Sequence, residues 1–111
     1  KNKIASSSMT VPIPDGSTVD LTIDIKKETT IEEINNLLKN YSENDLKNII
    51  GITYDPIVSS DVVRSTFSGL IDGLATMGIN NKKIKLIIWF DNGWGYAARI
   101  IDTIKRLGQE L

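Results

Sequence analysis

The stretch Lys83–Asp91, KIKLIIWFD, constrains the fold more than any other part of the chain. Ile84, Leu86, Ile88 and Phe90 fall on one side of an extended backbone, and Ile87 and Trp89 make the other side partly apolar as well. A strand apolar on both faces sits centrally in a sheet or meets a partner on each side, so the rest of the chain must supply neighbours for it. The turn Asn92-Gly93-Trp94-Gly95-Tyr96 follows, and then Ala97, Ile100, Ile101, Ile104 and Leu107 repeat at helical spacing, with Lys105 and Arg106 near the end. The pattern predicts a buried strand running through this turn into an amphipathic helix with Asn92 as its N-cap.

The other elements fit around that strand. Lys3–Val11, KIASSSMTV, is a serine-rich strand candidate that ends at a Val11-Pro12 step, and Asp15-Gly16 is a turn signal. Val19, Leu21, Ile23 and Ile25 then alternate with Asp20, Thr22 and Asp24, which predicts a half-buried strand antiparallel to the first. Thr30-x-x-Glu33 reads as a capping box for a helix over about Thr30–Tyr41, with Ile31, Ile34, Leu37, Leu38 and Tyr41 on one face and Lys39 complementing the far end of the dipole. Ile49–Tyr54 predicts a short strand and Ile57–Arg64 a loop. Ser68–Ile79, with three glycines, predicts a glycine-containing strand, joined to the last strand by an Asn80-Asn81 hairpin turn. The order β-β-α-β-β-β-α implies an α+β fold: an antiparallel or mixed sheet of about five strands with helices packed on one face, in a single domain over residues 1–111.

Composition narrows the chemistry. The chain has no cysteine and no histidine, which removes disulfides, thiolate catalysis, ordinary zinc sites and the commonest general base. A formal net charge of −1 gives no electrostatic reason to expect nucleic acid or a membrane surface, and no apolar run approaches the length of a membrane span. Asp55 and Asp61 bracket a loop and could hold a cation, but turn chemistry explains both. Lys82, Lys83 and Lys85 read better as a solvated turn and strand edge than as an anion patch, and Trp89 and Trp94 as core or interface anchors. No catalytic residue and no metal ligand is assigned. Two readings stay open for Asp91–Tyr96: a capped turn, or an amide (Asn92) and a flat aromatic wall (Tyr96) suited to a carboxamide-bearing ring.

Four ordered stretches resemble those of the phosphorylating glyceraldehyde-3-phosphate dehydrogenase family, in the C-terminal part of its catalytic domain. VPIPDGSTVDLT (Val11–Thr22) resembles V-P-x-P-x-x-S-x-x-D-L-T, and IIGITYDPIVSSD (Ile49–Asp61) resembles L-G-Y-T-x-D-x-V-V-S-S-D. STFSGLID (Ser65–Asp72) resembles the family's serine-rich continuation to aspartate. KLIIWFDNGWGYAARIIDTI (Lys85–Ile104) resembles K-x-I-x-W-Y-D-N-E-x-G-Y-S-x-R-V-x-D-L.

The resemblance implies a cytoplasmic protein of glycolysis that oxidises an aldehyde to an acyl phosphate with NAD or NADP, in a tetrameric parent. It implies that Asn92 contacts the nicotinamide carboxamide and that Tyr96 packs near the same ring. It also implies that the catalytic cysteine, the histidine base and the nucleotide-binding domain precede this stretch, so this chain alone is expected to be inactive and to bind no cofactor tightly. The family's arginine before V-P, which helps bind phosphate, aligns with Thr10, which offers a hydroxyl but no charge or bidentate fork. The chain opens on Lys1, which suits a fragment. Its expected partner is the missing N-terminal half or a second copy, at least a dimer; nucleic acid and membrane are not expected. The competing expectation is a self-standing, non-catalytic module that pairs with members of the family.

Overall fold

The computed structural model describes residues 3–110. Its elements are β1 (Ser17–Asp24), α1 (Ile31–Glu43), β2 (Ile50–Thr53), a 3-10 turn (Ser59–Val62), β3 (Gly69–Asp72), β4 (Met77–Ile79), β5 (Lys83–Phe90) and α2 (Asn92–Glu110). The two-sided strand β5 is central, as its composition requires. Along one edge it pairs antiparallel with all of β1, from Ser17 opposite Phe90 to Asp24 opposite Lys83. Its other edge is shared: β3 pairs near the end (Leu70 opposite Trp89) and β4 near the start (Ile79 opposite Lys83). β2 runs parallel to β3 and extends the sheet to the order β1-β5-β3-β2. The result is a five-stranded mixed sheet with two helices, an α+β fold.

Register puts Ile84, Leu86 and Ile88 on the same face as their partners Ile23, Leu21 and Val19. The buried apolar core, Val62, Ile71, Ile84 and Leu86, is small, and Val19 and Leu21 are 41% and 37% exposed. α1 closes part of this face: Ile31 and Ile84 both flank Gly78. Its start is fixed by the expected capping box, with Thr30 Oγ1 accepting from the Glu33 amide at 3.1 Å and the Glu33 carboxylate accepting from the Thr30 amide at 3.1 Å. That amide first, and the Thr29 hydroxyl second, hold the Glu33 carboxyl below the usual range. The helix runs on to Glu43, so Lys39 pairs along the helix with Glu43 (4.0 Å) and leaves the last turn without a basic residue.

The most buried side chain of α1 is polar. Asn35 donates to the Gly73 carbonyl (3.0 Å) and accepts from the Thr76 hydroxyl (2.8 Å). The bend this pair secures divides Ser68–Ile79 into β3 and β4, where the sequence suggests one strand. The Asp72 carboxylate forms the bend by accepting from the amides of Leu74 (3.1 Å) and Ala75 (3.0 Å), an aspartate turn that competes with the ladder. Asn80 and Asn81, both at φ 53, make the expected hairpin between β4 and β5, a type I′ turn.

One expected strand is absent. Lys3–Val11 forms no strand, with Ile4 92% and Met9 87% exposed, so the predicted antiparallel pairing with β1 does not form. Its three consecutive serines contribute no apolar face to bury, and the prolines that follow lack amide donors. The division of Ser68–Ile79 restores the count to five strands. The lysine cluster is neutralised across the sheet edge, Lys83 by Asp24 (2.7 Å), Lys85 by Asp20 (2.8 Å) and Lys82 by Glu28 (3.3 Å), all partly exposed. Among the described residues no helix is long and apolar enough to cross a membrane.

Candidate functional site

The junction of β5 and α2 is built on Asp91, which is 2% exposed. Its Oδ1 accepts from the amides of Gly93 and Trp94, each at 2.9 Å, and its Oδ2 accepts from the Arg64 amide at 2.7 Å. Asp91 is therefore the N-cap of α2, and Asn92, expected in that role, is the first residue inside the helix. The shift has a plain cause: a carboxylate is a stronger acceptor for orphan amides than a neutral amide, and it also complements the positive end of the dipole. The Trp94 amide first, and the Arg64 amide next, hold the Asp91 carboxyl below the usual carboxylate range, against the opposing effect of burial. Arg64 itself lies at φ 66, a left-handed backbone that presents its amide to this carboxylate.

With Asp91 as cap, the Asn92 carboxamide has no hydrogen-bond partner among the described residues and stands in solvent. Tyr96, one turn on, is 69% exposed. The two side chains border an open recess of about 230 Å³ that Phe90, Asp91, Ser68 and Arg99 complete. The structure thus brings Asn92 and Tyr96 to one recess, as the sequence suggests for them. Its volume is below the roughly 300–1,000 Å³ of self-contained small-molecule sites. A second shallow recess of about 280 Å³ continues along α2 past Arg99 and Ile100 to Ile104.

Two further residues position this wall. At Gly95 a Cβ would lie 2.8 Å from the Phe67 carbonyl oxygen, so glycine lets the first turn of α2 close on the strand connection. Arg99 then spans the gap, donating to Ser68 Oγ (3.2 Å) and the Asn48 carbonyl (3.2 Å) while paired with Asp102 (2.7 Å). Neither Asp91 nor Arg99 stands out in the sequence as a site residue. Arg99 is legible only in hindsight, three residues after Tyr96 on the same helical face.

The remaining candidates resolve into structure. Asp61 accepts from the Val58 amide (2.8 Å), and Asp55 forms a short turn with Thr53. Among the described residues no group of three or more potential metal ligands occurs. Trp89 is half-buried in the sheet, and Trp94 is 52% exposed. Thr10 lies in the unpaired arm, exposed.

Residues 1–92 match the family model described as glyceraldehyde 3-phosphate dehydrogenase, C-terminal domain. The chain is similar to glyceraldehyde-3-phosphate dehydrogenase of Borreliella burgdorferi, with 47% identity over 109 residues, covering 96% of this chain and 32% of the relative. It is 47% identical over 92 residues to the Thermotoga maritima enzyme of the same name, covering 83% of this chain and 28% of that protein. Glyceraldehyde-3-phosphate dehydrogenase 2 of Bacillus subtilis is 34% identical over 111 residues, covering 100% of this chain and 33% of its own length. The family match stops at Asn92, whereas the Bacillus similarity extends through Tyr96. The chain spans about a third of the length of these curated relatives. It belongs to the glyceraldehyde-3-phosphate dehydrogenase C-terminal domain family.

Proposed function

We propose that this chain supplies the C-terminal part of the catalytic domain of an NAD(P)-dependent, phosphorylating aldehyde dehydrogenase. In this proposal it forms one wall of the nicotinamide pocket. The observation that carries it is the division of labour at the junction: Asp91 satisfies the helix amides, which frees the Asn92 carboxamide beside Tyr96. A carboxamide can donate to and accept from the carboxamide of a nicotinamide ring, and a phenol ring can lie against its face. The opposite wall, the rest of the dinucleotide site, and the thiol and base that do the chemistry come from the part of the relatives' length that this chain does not span. A recess of about 230 Å³ suits half a pocket.

On this proposal the chain alone has no dehydrogenase turnover and binds nicotinamide nucleotides weakly. Titrating the isotope-labelled chain with nicotinamide mononucleotide should move the Asn92 side-chain amide and Tyr96 ring resonances before any others. Shifts elsewhere, or NAD-dependent oxidation of glyceraldehyde 3-phosphate by the chain alone, would overturn it. In the same proposal the apolar stripe of α2, with Ile101 52%, Ile104 63% and Leu107 56% exposed, is covered by the complementary half or by a second copy.

Thr10 favours one other function, a non-catalytic module that pairs with full-length members of the family. The exposed hydroxyl at that position brings no guanidinium to a phosphate. Restoring arginine there (Thr10→Arg) should then leave the pairing unchanged. In the catalytic case the same substitution in an assembled enzyme should lower KM for the phosphorylated aldehyde.

A further inference from the structure

Asn92 is the only one of nine asparagines in the chain that is followed by glycine. The dehydrogenase motif it resembles has glutamate in the place of Gly93, so the Asn-Gly pair is a feature of this chain. Both residues are exposed, and no Cβ on Gly93 screens its amide nitrogen from the neighbouring carboxamide. Yet that amide is engaged. It donates to Asp91 Oδ1 at 2.9 Å, within the first turn of α2.

We infer that Asn92-Gly93 is a site of spontaneous amide loss, and that the Asp91 cap sets its rate. Once hydroxide has removed the Gly93 amide proton, that nitrogen attacks Cγ of Asn92. The N–Cγ bond forms as the Cγ–Nδ2 bond breaks, and the departing amide takes a proton from water and leaves as ammonia. Water then opens the resulting succinimide at either carbonyl, giving aspartate or isoaspartate. No oxidant or cofactor takes part.

The cap opposes the first step in two ways. The amide proton must leave a charge-assisted hydrogen bond, and the nitrogen anion would form beside a carboxylate of like charge. The helix adds a third brake, because ring closure takes the Asn92 backbone out of helical torsions. The product with an unaltered backbone, aspartate, places a second carboxylate beside Asp91 at the helix N-terminus, where the dipole favours negative charge and the neighbouring carboxylate opposes it. The functional consequence alone rests on the proposed nicotinamide contact: a carboxylate at Asn92 keeps acceptors but loses both N–H donors.

The test is peptide mapping by mass spectrometry of the full chain, held at physiological temperature and mildly alkaline pH, folded and in denaturant. Asn92 should be the first asparagine to gain one mass unit, several-fold faster in denaturant than in the folded chain. Gly93→Ala should slow it about tenfold by restoring a Cβ. Asp91→Ala should raise the folded rate several-fold, short of the rate in denaturant because the helix still restrains the Asn92 backbone. Should that variant fail to fold, Asp91→Ser, which keeps a weaker cap, should give an intermediate rate. If another asparagine reacts first, or if folding and the cap leave the Asn92 rate unchanged, the inference is wrong. None of these readouts depends on nicotinamide binding, which the resonance titration above tests separately.

Discussion

α1 and α2 are written in the same pattern, an apolar stripe at helical spacing, but they end in different surroundings. In α1, Ile34 and Leu38 are half-buried and Asn35 is buried against the bend between β3 and β4. In α2, Gly95 is the buried residue, while Ile100, Ile101, Ile104 and Leu107 stand between 43% and 63% exposed. α1 is held near its middle, by Asn35 and the half-buried Ile34 and Leu38, while Ile31, Leu37 and Tyr41 stay between 42% and 51% exposed. α2 is held at one end, by the Asp91 cap, the Gly95 approach and the Arg99 fork. Amphipathic spacing records that a face is meant to be covered, and it carries no information on whether the cover lies in the same chain.

The contrast can be broken by substitution. The largest effect is expected at Asn35. Asn35→Ala strands the Gly73 carbonyl in the interior, leaves the Thr76 hydroxyl only its long bond to the Asp72 carbonyl (3.4 Å), and should destabilise the chain by about 2 kcal/mol, read by urea unfolding. A loss below that of an exposed substitution would mean that α1 is no better docked than α2.

Acid should act next, on the capping carboxylates of both helices, Asp91 of α2 and Glu33 of α1. The Asp91 carboxyl is lowered in the folded chain, so its contribution is complete above the unfolded carboxyl's range and is lost as pH falls through the folded value. Far-UV circular dichroism and amide exchange should show Gly93 and Trp94 losing protection below about pH 4, ahead of the amides of β5. Asp91→Asn should remove the acid response of Gly93 and Trp94 and leave that of the α1 cap at Glu33 unchanged. The smallest effect on stability belongs to Ile104→Ser, expected within about 0.5 kcal/mol because the side chain is already 63% exposed. Light scattering should nevertheless show reduced self-association. An unchanged association state would remove the α2 stripe as the contact.

Much of this was legible in the residues. The two-sided composition of Lys83–Phe90 placed β5 at the centre, Thr30 and Glu33 marked the start of α1, and Asn80-Asn81 marked the hairpin. What failed did so for identifiable reasons. Lys3–Val11 has extended propensity but no side chains to bury, so propensity alone did not make a strand. Ser68–Ile79 was divided by a side-chain-to-backbone turn at Asp72 that hydrophobic periodicity does not register. Asn35 carries no signal in the sequence, because its partners lie 38 and 41 positions away. At the β5–α2 junction, Asn92 and Tyr96 stand out by type and spacing, and both border one recess. The cap does not, because Asp91 and Asn92 are both good cap residues and only the backbone decides between them.

Gly95 gives the closing helix the geometry of a lever. α2 rises by about 1.5 Å per residue, so Leu107 lies roughly 18 Å beyond this pivot and Asn92 only about 4.5 Å before it. A tilt of some ten degrees about Gly95 would carry Leu107 through about 3 Å but move Asn92 by less than about 1 Å. In such a tilt the far arm would travel, while the short arm, with the carboxamide on it, would stay almost where it is. Gly95, which reads in the sequence as turn chemistry, is thus the point of closest approach about which such a tilt would turn.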